Sequence, residues 1–313
     1  LNTFLDPNLI EVIASDLGVN PSFVEKDWYA MRIIASLITV NNFGVQLVFA
    51  GGTSLSKGFG LIKRFSEDLD FKVILPKANS NPTRNECSNY RKQIVEVIRG
   101  SSSEWSLEGE PKSENANRKF TCNIRYKENF HIPAALRPYI KLEVNFISPT
   151  LAVEQRPLQS FIAQAMEQPP EVPLMACVSP IETAAEKLSA LTWRVLSRNR
   201  GSEKDDPSLI RHLYDLTALR DVIFNYSSFS DLVIGVMRKD IDNDRGKIKS
   251  LANSEVELLQ KMLLTLEDDS LYANEYQQFV TGMSYAVEDE CPTFSEAIDA
   301  VKSIISMINR LNV

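Results

Sequence analysis

Two periods of hydrophobic and polar positions run along this chain. Up to about residue 157 helical spacing is interleaved with strict alternation, and beyond it the spacing is helical. Leu9, Ile10, Val12, Ile13 and Leu17 predict a helix over 7–19 that Gly18 stops. Asn20-Pro21 opens a second, with the cap residue outside and proline in the first turn. Phe23, Trp28, Met31, Ile34 and Leu37 are its buried stripe. Val45, Leu47 and Phe49 then alternate with Gln46, Val48 and Ala50, the pattern of a largely buried strand. Gly51-Gly52 ends that strand, and a short helix and turn lead to a second. There Leu69, Phe71 and Val73 face one way and Asp68, Asp70 and Lys72 the other.

Pro76–Asn85 is rich in Asn, Pro and Ser and predicts a loop. A polar helix over 86–99, a polar stretch over 100–117 and a strand over 118–126 follow. Tyr139–Ile147 repeats the strand alternation, with Ile140, Leu142, Val144 and Phe146 inward and Lys141, Glu143 and Asn145 outward. Ser179, Pro180 and Glu182 specify a helix start as cap, first-turn proline and capping-box acid. Its stripe is Ile181, Ala184, Ala185, Leu188, Leu191 and Val195, with Lys187 on the edge. Pro207 opens a helix over Leu209–Ile223, flanked by Asp215, and further helices are predicted over 228–240, 253–266, 270–283 and 293–311. The result is an α+β chain: a mixed sheet with flanking helices over 1–165, then an α-helical domain over 166–313.

Composition narrows the class. With 34 basic and 41 acidic residues the net charge is −7, which disfavours a surface that grips nucleic acid throughout but leaves room for a local basic track. No apolar run approaches the ~18 residues of a membrane span, and the N-terminus lacks a signal pattern, so a cytoplasmic protein is expected. Cys87, Cys122, Cys177 and Cys291 are scattered and form no metal-binding spacing.

The chemistry concentrates in 51–70. Carboxylates at i and i+2 on a strand lie about 6.6–7 Å apart on one face. That suits one divalent ion bridged between them, or two ions roughly 3.5–4 Å apart, binding phosphate oxygens as well, with glycine N–H groups near the phosphates. The plain alternative for Asp68 and Asp70 is a solvated face of an edge strand. For Glu25, Lys26 and Asp27 it is a salt-bridged helix face, and for Lys187 a snorkelling side chain. Asp215 has an i,i+4 pair with Arg211 as its plain alternative.

Gly51-Gly52-Thr53-Ser54-Leu55-Ser56-Lys57, followed by Arg64-Phe65-Ser66-Glu67-Asp68-Leu69-Asp70, resembles the signature of the AbiEii/AbiGii-type nucleotidyltransferase toxins. These are relatives of the MenT toxins in the polymerase-β-like nucleotidyltransferase superfamily. Fifteen residues separate Gly52 from Asp68, slightly long for the superfamily pattern. Val24–Tyr29, Ile181–Leu191 and Ile210–Leu216 are similar to further family segments. The resemblance implies a polymerase-β-like N-terminal domain and Mg²⁺-dependent transfer of a nucleotide from NTP. The acceptor it implies is an RNA such as tRNA, and the partner a cognate antitoxin.

On this resemblance Asp68 and Asp70 are metal ligands, with Glu143 as third ligand or base if its strand neighbours theirs. Gly51, Gly52, Thr53, Ser54, Lys57, Arg64 and Ser66 are nucleotide-binding candidates. Lys187 neutralises phosphate charge, and Asp215 orients Lys187 or binds the nucleotide. Two rival readings stay open: transfer to a protein or small-molecule hydroxyl, and a nucleotide-binding interaction module without turnover.

Overall fold

The computed structural model describes residues 5–43, 45–74, 82–133, 136–203, 205–242, 251–287 and 290–310. The chain divides into two compact units, Leu1–Gly60 with Phe65–Ser179, and Leu61–Arg64 with Pro180–Val313.

The first unit opens with helices α1 (Pro7–Leu17) and α2 (Pro21–Leu37). Asp6 and Asn20 cap them by accepting the N–H groups of Asn8 and Ser22. Gly18 ends α1 in the left-handed region, φ 65°. Strand β1 (Gln46–Ala50) leads directly into the short helix α3 (Gly51–Lys57), and β2 is Asp68–Ile74. Helix α4 (Arg84–Ser101) starts from a capping box between Thr83 and Glu86. The remaining elements are β3 (Trp105–Glu114), β4 (Lys119–Tyr126), β5 (Ile140–Asn145), β6 (Glu154–Leu158), α5 (Phe161–Ala165) and β7 (Val172–Cys177).

The seven strands form one mixed sheet in the order β3-β4-β5-β2-β1-β7-β6. Strand β2 lies at its centre, antiparallel to β1 and parallel to β5. Its buried residues alternate as the sequence predicts: Leu69, Phe71 and Val73 face the core, where Phe71 meets Phe49 of β1.

Three strands were not expected. Strand β3 lies in the predicted polar stretch, β6 spans the point near residue 157 where the helical reading begins, and β7 lies within the region read as helical. Both β3 and β6 are edge strands with few buried residues, so they carry little apolar alternation and are held by backbone pairing with β4 and β7. Because β7 pairs with β1, the sheet-bearing unit runs to Ser179 instead of ending near residue 165. The loop predicted from Pro76 lies, over residues 76–81, outside the described residues, and Arg84 and Asn85 already belong to α4.

The second unit is helical. It holds α6 (Pro180–Leu196), α7 (Arg211–Ala218), the short α8 (Arg220–Phe224), and helices Phe229–Asp242, Glu255–Asp268, Leu271–Met283 and Phe294–Arg310. The helix predicted over Leu209–Ile223 is thus broken into a 3-10 turn, Pro207–Ile210, followed by α7 and α8. Leu188, Leu191, Leu213, Leu216, Val301 and Ile304 build the core of this unit.

Candidate active site

In the first unit, the start of α3 and strand β2 are set by a close approach of backbone to carboxylate. Gly51 has φ +74°, a conformation an L side chain adopts at a cost. A Cβ added there would meet Asp70 Oδ2 at 2.2 Å, so Gly51 is needed for space as well as for its dihedral. The amides of Gly51, Gly52 and Thr53 open α3, where backbone N–H groups lack intrahelical acceptors. Thr53 Oγ1 is turned to the chain itself and donates to the carbonyls of Asp68 (2.6 Å) and Ser66 (3.2 Å). This ties α3 to the start of β2. Ser54 is buried beside the Cys177 thiol, which burial raises to about 11 despite the Ser54 hydroxyl.

Asp68 and Asp70 are partly exposed on the polar face of β2. That strand is central in the sheet, which removes the edge-strand alternative. Asp70 pairs in register with Glu143 of β5, so the strands neighbour each other as the third-acid reading requires. Basic side chains already engage two of these carboxylates, however. Arg137 Nη1 lies 2.5 Å from Asp68 Oδ1. Lys119 and Lys141 lie 2.8 and 3.3 Å from the two oxygens of Glu143. Among the described residues no group of three or more His, Cys, Asp or Glu is gathered to hold a metal ion. The pair on β2 nonetheless fits a hard divalent cation: two carboxylates share one strand face, with the Gly51 backbone fitted against Asp70. Glu143 fits as a third ligand only on leaving its lysines.

Lys57 is not placed to reach a phosphate. Its Nζ is buried 2.7 Å from Asp27 Oδ1 and 3.4 Å above the Phe161 ring. Burial pushes the Lys57 ammonium down and the Asp27 carboxyl up, against their mutual attraction. The Glu-Lys-Asp segment of α2 is buried, and Lys26 and Asp27 are salt-bridged to residues outside the helix, Glu67 and Lys57. Glu25 accepts from the main-chain N–H and side-chain amide of Asn129. Asp27 accepts from the Phe161 N–H, and Lys26 donates to Glu67 at 2.5 Å.

The second unit buries a three-residue charge cluster. Arg64 forks onto Asp215, Nε to Oδ1 at 2.6 Å and Nη2 to Oδ2 at 2.5 Å. Lys187 of α6 reaches the same Oδ2 at 2.6 Å. The three side chains are 2%, 0% and 8% exposed for Arg64, Asp215 and Lys187. Burial alone would raise the Asp215 carboxyl, but Arg64 and Lys187 hold it at about 2. Burial pushes Lys187 below its ordinary value, against the pull of Asp215. Asp215 is therefore paired with Lys187 and Arg64 and not with Arg211, which turns to Asp206 and Ser208. Arg64, expected beside the nucleotide, is buried as the holder of Asp215. His212 is packed, and burial with nearby Arg211 and Lys187 lowers it well below its usual range.

Arg137 stands in an irregular segment before β5, where no periodicity or spacing in the sequence marks it.

Sheet, glycine-opened helix and strand carboxylates together place the chain among the nucleotidyltransferases. Residues 32–300 match the family model described as Nucleotidyl transferase AbiEii toxin, Type IV TA system. The chain belongs to this family: it is a nucleotidyltransferase toxin of a type IV toxin–antitoxin system, with a nucleotide substrate and an antitoxin counterpart. Among solved structures, MenT4, a nucleotidyltransferase toxin from Mycobacterium tuberculosis H37Rv, is similar with a TM-score of 0.62 and 20% identity. The match covers 98% of this chain and 90% of that one, and at this identity it speaks for the fold. No curated protein matches the sequence. Among the described residues no helix is long and apolar enough to cross a membrane.

Proposed function

We propose that the protein transfers a nucleotidyl group from an NTP to a hydroxyl of RNA, with tRNA as acceptor, in a Mg²⁺-dependent reaction. The observation that carries this reading is the pair Asp68 and Asp70 on one face of β2, with the Gly51 backbone fitted against Asp70. The acceptor oxygen attacks the α-phosphorus, the bond to the bridging oxygen of the β-phosphate breaks, and pyrophosphate leaves. Asp68 and Asp70 would hold Mg²⁺, which when bound would supply positive charge to offset the negative charge that develops on the phosphates.

Asp68 and Asp70 hold the ion. The N–H groups of Gly51, Gly52, Thr53 and Ser54 receive phosphate oxygens, with Ser66 flanking the metal strand. Glu143, once clear of its lysines, serves as third ligand or takes the acceptor's proton. Lys187, aimed by Asp215, offsets phosphate charge during transfer. The work of the protein is positioning and electrostatic stabilisation.

A net charge of −7 without a long basic stripe favours, as second reading, a protein or small-molecule acceptor. Incubation with each α-labelled NTP, Mg²⁺ and purified tRNA, beside Asp70→Asn, separates the readings. Labelled tRNA that disappears in the variant supports the proposal. Label on protein or a small molecule supports the second reading, and nucleotide binding without any label supports an inactive module. Asp70→Asn is also expected to melt no lower than wild type without metal, because it removes one of two like charges on that strand face. A clear drop in melting temperature assigns Asp70 a structural role.

A further inference from the structure

Lys26 and Glu67, from segments 41 residues apart, meet at a single loop residue. Glu67 Oε2 accepts from Lys26 Nζ at 2.5 Å and from the main-chain N–H of Arg137 at 2.8 Å. Lys26 Nζ also donates to the main-chain carbonyl of Arg137 at 2.8 Å. One ion pair, with side chains 6% and 12% exposed, thus grips both backbone polar groups of Arg137. The Arg137 side chain is 38% exposed and reaches Asp68 Oδ1 at 2.5 Å. Its Nε stands 4.0 Å from Glu67 Oε1.

A buried ion pair is a weak source of net stability, because desolvation offsets the attraction. As a clamp on one residue it has a clear effect: it fixes where the guanidinium starts. That group keeps its charge at any physiological pH, and its planar fork fits carboxylate and phosphate alike. A divalent ion bound to Asp68 takes away the carboxylate partner. Phosphates that arrive with the ion would then compete with Glu67 Oε1, 4.0 Å from the Arg137 Nε, for the released fork.

We propose that Arg137 is a substrate-binding residue of the transfer site. Its guanidinium matches the Asp68 charge in the metal-free protein and passes to the nucleotide's phosphate oxygens when a divalent ion takes that carboxylate. Lys26 and Glu67 are positioning residues that aim it. The inference rests on the reading that Asp68 and Asp70 bind metal.

The test titrates Mn²⁺ alone, by the loss of free-ion paramagnetic resonance signal, into wild type, Arg137→Gln, Arg137→Lys, Lys26→Met and Asp70→Asn. With Mn²⁺ present, calorimetry then measures non-hydrolysable analogues of the four ribonucleoside triphosphates. Arg137→Gln is expected to bind Mn²⁺ about three- to tenfold more tightly, since a competing cation is gone. It should bind the best analogue at least about tenfold more weakly, with part of that recovered in Arg137→Lys. Lys26→Met should shift both affinities the same way by less. Misfolding does not tighten metal binding, so the first readout separates handling of substrate from mere structure. Unchanged or weaker Mn²⁺ binding in Arg137→Gln, or unchanged analogue binding, overturns the role of Arg137 while loss of Mn²⁺ binding in Asp70→Asn keeps the metal reading intact. If Arg137→Gln does not fold, Lys26→Met decides by the same two shifts. Wild-type Mn²⁺ affinity in Asp70→Asn sinks the metal reading and this inference with it.

Discussion

Asp215→Asn isolates the electrostatics of the helical unit. The substitution keeps the shape and removes the charge that touches both Arg64 and Lys187, each within 2.6 Å of a carboxylate oxygen. Lys187 has a way out, since burial already pushes its ammonium toward the neutral form. Arg64, 2% exposed, has none, because a guanidinium does not deprotonate in a protein. Breaking a buried pair by removing one partner costs about 3–5 kcal/mol. For a chain of this size that is roughly 5–8 °C of melting temperature. Lys187→Met is the informative partner experiment. It leaves the Arg64–Asp215 fork in place and substitutes an apolar stem of similar length, so it should cost less than about 1.5 kcal/mol. Nucleotidyl transfer should nonetheless fall roughly a hundredfold or more if the ammonium stabilises developing charge. Thermal melts by circular dichroism, paired with label transfer, read both quantities. An Asp215→Asn melt within 2 °C of wild type, or a Lys187→Met variant equally destabilised, refutes this account of the cluster.

Three further predictions address the remaining charges and the glycine. Acid should remove part of the stability through Asp215: its pKa falls from 3.8 to about 2 on folding, so it contributes about 2 kcal/mol above pH ~4 that is lost as pH falls through ~2. Denaturant melts across that window should show this loss in wild type, and Asp215→Asn should lack it. Gly51→Ala should cost about 1–2 kcal/mol of backbone strain and also displace Asp70, so transfer falls far more than stability. Gly60→Ala, at φ +64° with open space around it, serves as control with the strain and without the loss of transfer. Lys57→Met strands Asp27 and should lower stability by about 3 kcal/mol, while the double variant with Asp27→Asn recovers part of it in chemical denaturation.

The unit from β1 through α3 to β2 is legible in the sequence because its signals are local. Alternation of Leu69, Phe71 and Val73 fixes which face Asp68 and Asp70 share, and a glycine pair after a strand marks a close backbone approach. Helix starts at Pro21 and Pro180 are local in the same way, as are the apolar stripes of the last helices. Edge strands β3 and β6 are invisible to such reading, since backbone pairing holds them and few side chains are buried.

Charge partners lie further still from what sequence alone determines. Nothing near Asp215 in the chain points to Arg64, 151 residues away, and nothing near Lys57 points to Asp27. The fold decides those pairings, because a buried charge takes whichever opposite charge the packing brings to it. So the sequence by itself determined the strand, the glycines and the two acids on one face. Tertiary structure decided that Lys57 is buried, that Arg64 serves Asp215, that Glu143 lies in register with Asp70, and that Arg137 stands on Asp68. Periodicity acts over a few residues, whereas charge compensation acts across whatever the folded chain makes adjacent.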